Sequence, residues 1–253
     1  MNRGGQQIQM SVPPFTFAVK WIIISSVSIW FLCQVLLENV IKIPFTQFFN
    51  LVPSQVLFEF KIWQPYTYMF LHSTREISHI LFNLLMLWFL GADLEQKWGS
   101  RSFFLFYIMN GAGAALIYVF SIALYSAIFG SQVALIIPVV GASGALFAIM
   151  VAYAWHFGDR MMYFFMLFPI KAKYFVMILG FIQVASMLTS GISGGEVAYL
   201  AHLGGLVSGF LAVWGKDRWD RYNLNRKNKK KGRNLRLVVD NEKKESKDPR
   251  YWN

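Results

Sequence analysis

From residue 103 to residue 127 the chain carries no charged side chain. A run that long and apolar suits a helix crossing the hydrocarbon layer, which takes about 20 residues at roughly 1.5 Å each. Comparable stretches occur at 21–37, from 77 to about 90, from 141 to about 155, from 174 to about 188 and from 198 to 214. With 56% hydrophobic residues overall, the chain is too apolar for a soluble domain. The fold class expected is all-α, a polytopic membrane bundle of six transmembrane helices.

The net charge of +11 invites a nucleic-acid reading, but 14 of the 24 lysines and arginines lie from Lys216 onward. That tail has no apolar periodicity and no folded platform for nucleic acid. It is expected to be disordered and to touch anionic lipid headgroups. The expected divisions are an N-terminal segment, 1–14, a membrane domain, 15–215, and the basic tail, 216–253. Cys33 is the single cysteine, so no intrachain disulfide forms. From Phe15 onward there is no small-residue cleavage site, so the first span reads as retained.

The links between spans have their own signals. Residues 40–68 contain Pro44, Pro53 and Pro65 among Phe45, Phe48, Phe49, Trp63 and Tyr66, a pattern for a segment lying in the outer leaflet surface. Ser73 followed by Glu76 fits a capping box at the start of the second span. Residues 95–101 read as a polar turn, 130–140 as an uncharged loop and 161–174 as interfacial. Six spans put both termini on one side. Lys97, Arg101, Arg160, Lys171, Lys173 and the tail make that side cytoplasmic. A bacterial inner membrane is the expected location, since no organelle-targeting segment is visible. No internal repeat is apparent, which argues against a transporter.

This topology brings scattered polar residues to one depth. Ser143 lies about one turn into the fourth span, within Gly141-Ala142-Ser143-Gly144. His79 and Asn83 share a face in the first turns of the second span, and His202 lies about one turn into the sixth. Such groups are costly in a bilayer unless they face protein or water, and they point to function. Gly205 and Gly209 put a small-residue stripe beside His202, so close packing against Gly141 and Gly144 brings the imidazole to the serine. Each feature has a plainer reading: a serine bonded to its own helix, simple helix packing, or an interhelical bond from His79 and Asn83.

Together, His79-x-x-x-Asn83, Gly141-x-Ser143-Gly144 and Ala201-His202-x-x-Gly205-x-x-x-Gly209 resemble the rhomboid intramembrane serine proteases. Leu94-Glu95, Gly99-Ser100 and Tyr107 follow the same pattern. The resemblance implies that Ser143 is the nucleophile and His202 the general base. It also implies an oxyanion hole from His79, Asn83 and the Ser143 backbone N–H, with Phe147 packed on the imidazole. Two positions depart from the family: Trp63-Gln64 replaces a common Trp-Arg pair, and Phe147 stands where a tyrosine is frequent. No carboxylate is placed for a triad, since Glu196 falls in a loop and Glu76 is taken up by the cap, so a Ser-His dyad is expected. No H-E-x-x-H occurs, and no metal or cofactor is expected. The implied substrates are transmembrane segments of other proteins, cut near their outer end. The alternative is a catalytically silent relative that binds and routes membrane proteins, against which the presence of both Ser143 and His202 argues. His72 is expected to be a solvated loop residue, the alternative being support of the water-facing cavity; His156 is expected to lie far from the site, and Asn110 and Gln183 to be helix–helix glue.

Overall fold

The structure is a computed structural model and describes residues 13–164, 168–190 and 197–232. Two compact units, Met1–Trp214 and Gly215–Asn253, make up the chain. The first unit opens with α1 (Phe17–Ser28), which runs on as a π-helical stretch, Ile29–Val40. Three short helices follow: α2 (Thr46–Phe49), α3 (Pro53–Phe58) and α4 (Gln64–Thr67), with a 3-10 turn at Tyr68–Phe70. Then come α5 (Ile77–Trp98), α6 (Ser100–Phe129), a one-turn α7 (Val133–Ile136) and α8 (Ser143–Phe157). A hairpin of β1 (Met161–Phe164) and β2 (Phe168–Lys171) leads to α9 (Ala172–Ser190) and α10 (Val197–Gly232). All six expected spans have a helix. Among the described residues, four helices are long and apolar enough to cross a membrane, counting α1 together with its π continuation, and α8 is shorter.

Several local expectations need correction. The polar turn at 95–101 shrinks to Gly99, whose φ of +81° separates α5 from α6. Glu95 lies inside α5, 3% exposed. Its carboxylate accepts from the backbone N–H groups of Ala18 (2.8 Å) and Val19 (2.9 Å), and from the hydroxyls of Thr16 and Ser100. The first turn of any helix leaves such N–H groups without intrahelical acceptors, so a residue of α5 caps α1.

The capping box at Ser73 is incomplete. Ser73 Oγ accepts from the N–H groups of Arg75 and Glu76, but α5 begins only at Ile77 and the Glu76 side chain makes no cap bond. The 130–140 loop contains α7 and pairs Val139 with Leu51 through two backbone hydrogen bonds. Part of the interfacial 161–174 segment is the hairpin. In the second unit α10 continues past Trp214 to Gly232, so residues 216–232 are helical where a disordered tail was expected. Lys216 and Asp220 pair along it. The rest of the tail lies outside the described residues, as does Glu196.

Packing among α6, α8 and α10 depends on residues without bulk. A Cβ on Gly204 would sit 2.8 Å from the Ala114 carbonyl oxygen, and one on Gly209 2.6 Å from Ala148 Cα. A Cβ on Gly205 would collide with the Gly144 carbonyl. Backbones this close gain dispersion and short-range polar contacts, the main attraction left to helices in lipid. Asn110 strengthens the contact by accepting from Ser208 (2.7 Å), as expected of an interhelical polar pair.

Direction is set at the opposite end. Asp93, near the end of α5, accepts from Tyr153 (3.1 Å) on α8 and from Arg160 beyond it. Lys97 and Arg160 lie over the Phe157 ring, and Asp159 binds Lys171 and Lys173. The Lys173 hydrogen bond, with help from Lys171, holds the exposed Asp159 carboxyl below its ordinary range. α5 and α8 therefore run parallel, with their C-terminal ends together among the basic residues.

Candidate active site

The N-terminal ends of α5 and α8, with the first turns of α10, line a cavity of about 570 Å³. Ser143, His79, Asn83, Phe147 and His202 all line it. The sequence pattern predicted that they would meet, and they do.

Ser143 is the first residue of α8, not one turn into it. The chain reaches it through Gly141, whose φ is +123° and whose N–H donates to the Tyr68 carbonyl (3.0 Å). That φ lies where L side chains are strained, and the space is filled besides: a Cβ on Gly141 would meet His79 Nε2. A Cβ on Gly144 would come within 2.8 Å of the Tyr68 hydroxyl, which donates to Gly111 O. Crowding leaves no room for a side chain at either glycine.

His202 Nε2 lies 2.8 Å from Ser143 Oγ. The Phe147 ring stacks on the imidazole, with centroids 4.5 Å apart and planes 24° apart. One helical turn separates Phe147 from Ser143, so the same helix supplies the hydroxyl and the surface that orients its partner. His202 Nδ1 lies 2.9 Å from Gln183 Oε1 on α9. Gln183 does bridge helices, as expected of glue, but the group it meets is the site imidazole. Local spacing gave no signal of this, because the contact depends on the rotation of α9 against α10.

Across the cavity, the Asn83 amide nitrogen is buried and has no hydrogen-bond partner. A buried donor left unpaired costs about 1–3 kcal/mol, so an apolar side chain would be more stable there unless a ligand uses the donor. His79 Nδ1 accepts from the Ser73 N–H (3.3 Å). A neutral His79 then carries its proton on Nε2, the atom beside Gly141. Ser143 contributes its own first-turn N–H, which has no intrahelical acceptor. Three donors thus gather near one hydroxyl.

Other residues fall outside this group. His72 is 1% exposed rather than solvated, and its ring lies 5.5 Å from that of His79. Gln34, in the π-helical stretch, holds the His72 backbone on both sides, accepting from its N–H (2.9 Å) and donating to its carbonyl (3.0 Å). His156 stacks edge-on against Trp98 at the basic end, far from the cavity as expected. At the departure from the Trp-Arg pattern, Gln64 is fully buried. It accepts from Val52 N (3.0 Å) and donates to Gln55 (2.6 Å), while Trp63 donates to the Phe48 carbonyl (2.9 Å). Among the described residues no cluster of three or more His, Cys, Asp or Glu is placed to hold a metal.

The sequence model of the rhomboid domain matches residues 59–218. The chain is 32% identical over 159 residues to RHOMBOID-like protein 1 of Arabidopsis thaliana, covering 62% of this chain and 35% of that protein. It is 28% identical over 144 residues to Rhomboid protein 1, mitochondrial, of Saccharomyces cerevisiae, covering 56% and 39%. It is also 28% identical over 167 residues to Rhomboid protease GlpG of Serratia proteamaculans, covering 64% and 51%. These alignments span between about a third and a half of each relative's length.

Proposed function

The chain belongs to the rhomboid family, is an integral membrane protein, and on that premise we propose that it is an intramembrane serine endopeptidase with Ser143 as nucleophile and His202 as general base. The observation that carries the reading is the 2.8 Å separation of Ser143 Oγ and His202 Nε2 on the cavity wall. A serine hydroxyl attacks a peptide carbonyl only when a base removes its proton as the new bond forms.

In the proposed reaction, Ser143 Oγ bonds to the scissile carbonyl carbon and its proton passes to His202 Nε2. The carbonyl π electrons move onto oxygen, and Asn83, His79 and the Ser143 N–H donate to the resulting oxyanion. Collapse re-forms the carbonyl, breaks the C–N bond and sends the Nε2 proton to the leaving amine. Water then attacks the acyl-serine, gives a proton to Nε2 and releases the acid as Ser143 recovers its hydrogen. Phe147 keeps the ring in plane throughout.

The substrates proposed are transmembrane segments of other proteins. α8 has 15 residues, about 22 Å at 1.5 Å per residue, against a hydrocarbon layer of about 30 Å. With its basic end at one interface, its Ser143 end lies several ångströms below the other. Cleavage near the outer end of a substrate helix follows from that recess. A bacterial inner membrane with both termini cytoplasmic is part of the same proposal, supported by the basic residues gathered at the Asp93 end.

A serine-reactive fluorophosphonate tests the reading. Wild-type protein should be labelled at Ser143, and both Ser143→Ala and His202→Ala should be silent while folding normally. A folded wild type that resists labelling would point instead to a family member that binds membrane proteins without cutting them.

A further inference from the structure

α9 turns Phe175, Leu179 and Gln183, each four residues from the next, toward the cavity. Gln183 is the polar member of that face. A primary amide on an apolar helix is unfavourable unless it is bonded, and Gln183 Oε1 lies 2.9 Å from His202 Nδ1. We propose that Gln183 is a positioning residue for the reaction, fixing the tautomer and the ring orientation of His202. This rests on the protease reading given above, although its main observable does not require turnover.

A carbonyl oxygen has no proton to give, so in this contact Nδ1 must donate. A neutral imidazole has one N–H, and holding it at Nδ1 leaves the Nε2 lone pair facing Ser143 Oγ at 2.8 Å. That is the tautomer able to receive the serine proton. The other one would point an N–H at Ser143 and could take nothing from it. After transfer the imidazolium carries both hydrogens, and Nδ1–H still donates to the same amide oxygen, so no partner has to move. Phe147 holds the plane of the ring from its face, and Gln183 fixes its rotation within that plane from the edge. A buried carboxylate could do this as well, but only by bringing a second desolvated charge into the site. The amide orients the ring and stays neutral.

The protein has four histidines, so a ¹⁵N-histidine NMR spectrum in detergent micelles is tractable, with His202→Asn giving the assignment. Wild type should show His202 with its proton on Nδ1. Gln183→Leu should move population to the Nε2–H form. It should also lower the maximal rate of fluorophosphonate labelling about tenfold, the worth of roughly one hydrogen bond, with the half-saturating probe concentration nearly unchanged. Gln183→Glu should restore both readouts, because a carboxyl group keeps an acceptor oxygen in either protonation state. A thermal midpoint for each variant separates loss of fold from loss of positioning. An unchanged tautomer and labelling rate in folded Gln183→Leu would overturn the proposal and leave Gln183 as helix packing. A wild type showing the Nδ1–H tautomer yet resisting the probe would instead refute the protease reading, with the tautomer arm still deciding the role of Gln183.

Discussion

A Cβ placed on Gly141 would stand 2.8 Å from His79 Nε2. The contact joins the approach to α8 to the first turns of α5, and it makes the position of His79 depend on a missing side chain. Gly141→Ala should push the imidazole away and strain a backbone whose φ is +123°, at a cost of about 1–3 kcal/mol. The expected result is a cleavage rate at least about tenfold lower with a lowered thermal midpoint. Activity equal to wild type would show that His79 does not need its present place.

Asn83 separates a functional donor from a structural one. With its amide nitrogen buried and unpartnered, Asn83→Ala should not destabilise the fold by more than a side-chain truncation would. Turnover should fall about 100- to 1000-fold, the usual result of removing one oxyanion donor, while Ser143 still reacts with a fluorophosphonate. A large drop in thermal midpoint with near-normal turnover in the folded fraction would make Asn83 an interhelical strut.

Gln64 anchors the first loop by a route other than the family's frequent Trp-Arg pair. It satisfies the Val52 N–H and holds Gln55 from a fully buried position. Gln64→Leu would leave a buried backbone donor unpaired, and the chemical-denaturation stability should fall by about 1–3 kcal/mol. No measurable loss would mean that the loop has another anchor.

The buried His72 should give the protein an acid limit. Burial pushes its imidazole down to about 4, the neighbouring His79 adds to the shift, and a backbone group of Phe70 opposes it. In the unfolded chain the same ring takes up a proton near pH 6.5. The folded state therefore binds fewer protons between those values, and stability present above about pH 6.5 is lost as pH falls toward 4. Neither ring nitrogen has a hydrogen-bond partner, so His72→Phe should leave the thermal midpoint at pH 7.5 little changed. It should also flatten the decline between pH 6.5 and 4. A decline of unchanged steepness would assign the acid limit to other groups.

What the sequence disclosed, and what it hid, follows the range of the interactions. Ser143, His202, His79 and Asn83 line one cavity, and the topology expected from charge had grouped the same four residues at one depth. Phe147 was implied by the family resemblance, and its ring stacks on the imidazole. Glu95 was misread as part of a turn because the helix it caps begins at Phe17, far upstream in the chain. His72 looked solvated because nothing near it in sequence announces Gln34. The role of Gln183 depends on which neighbour α9 presents to α10, and the helicity beyond Lys216 was masked by the absence of an apolar stripe. Long-range partners, rather than local preferences, account for the misreadings inside the membrane unit.

In the proposed reaction Ser143 and His202 together cut a peptide bond within a membrane. The most direct measurement is mass spectrometry of a single-span substrate protein incubated with purified protein in liposomes. Two fragments are expected from a cut near the outer end of the span, and none with Ser143→Ala or His202→Ala of equal thermal stability. Fragments that persist with Ser143→Ala would contradict the proposed reaction.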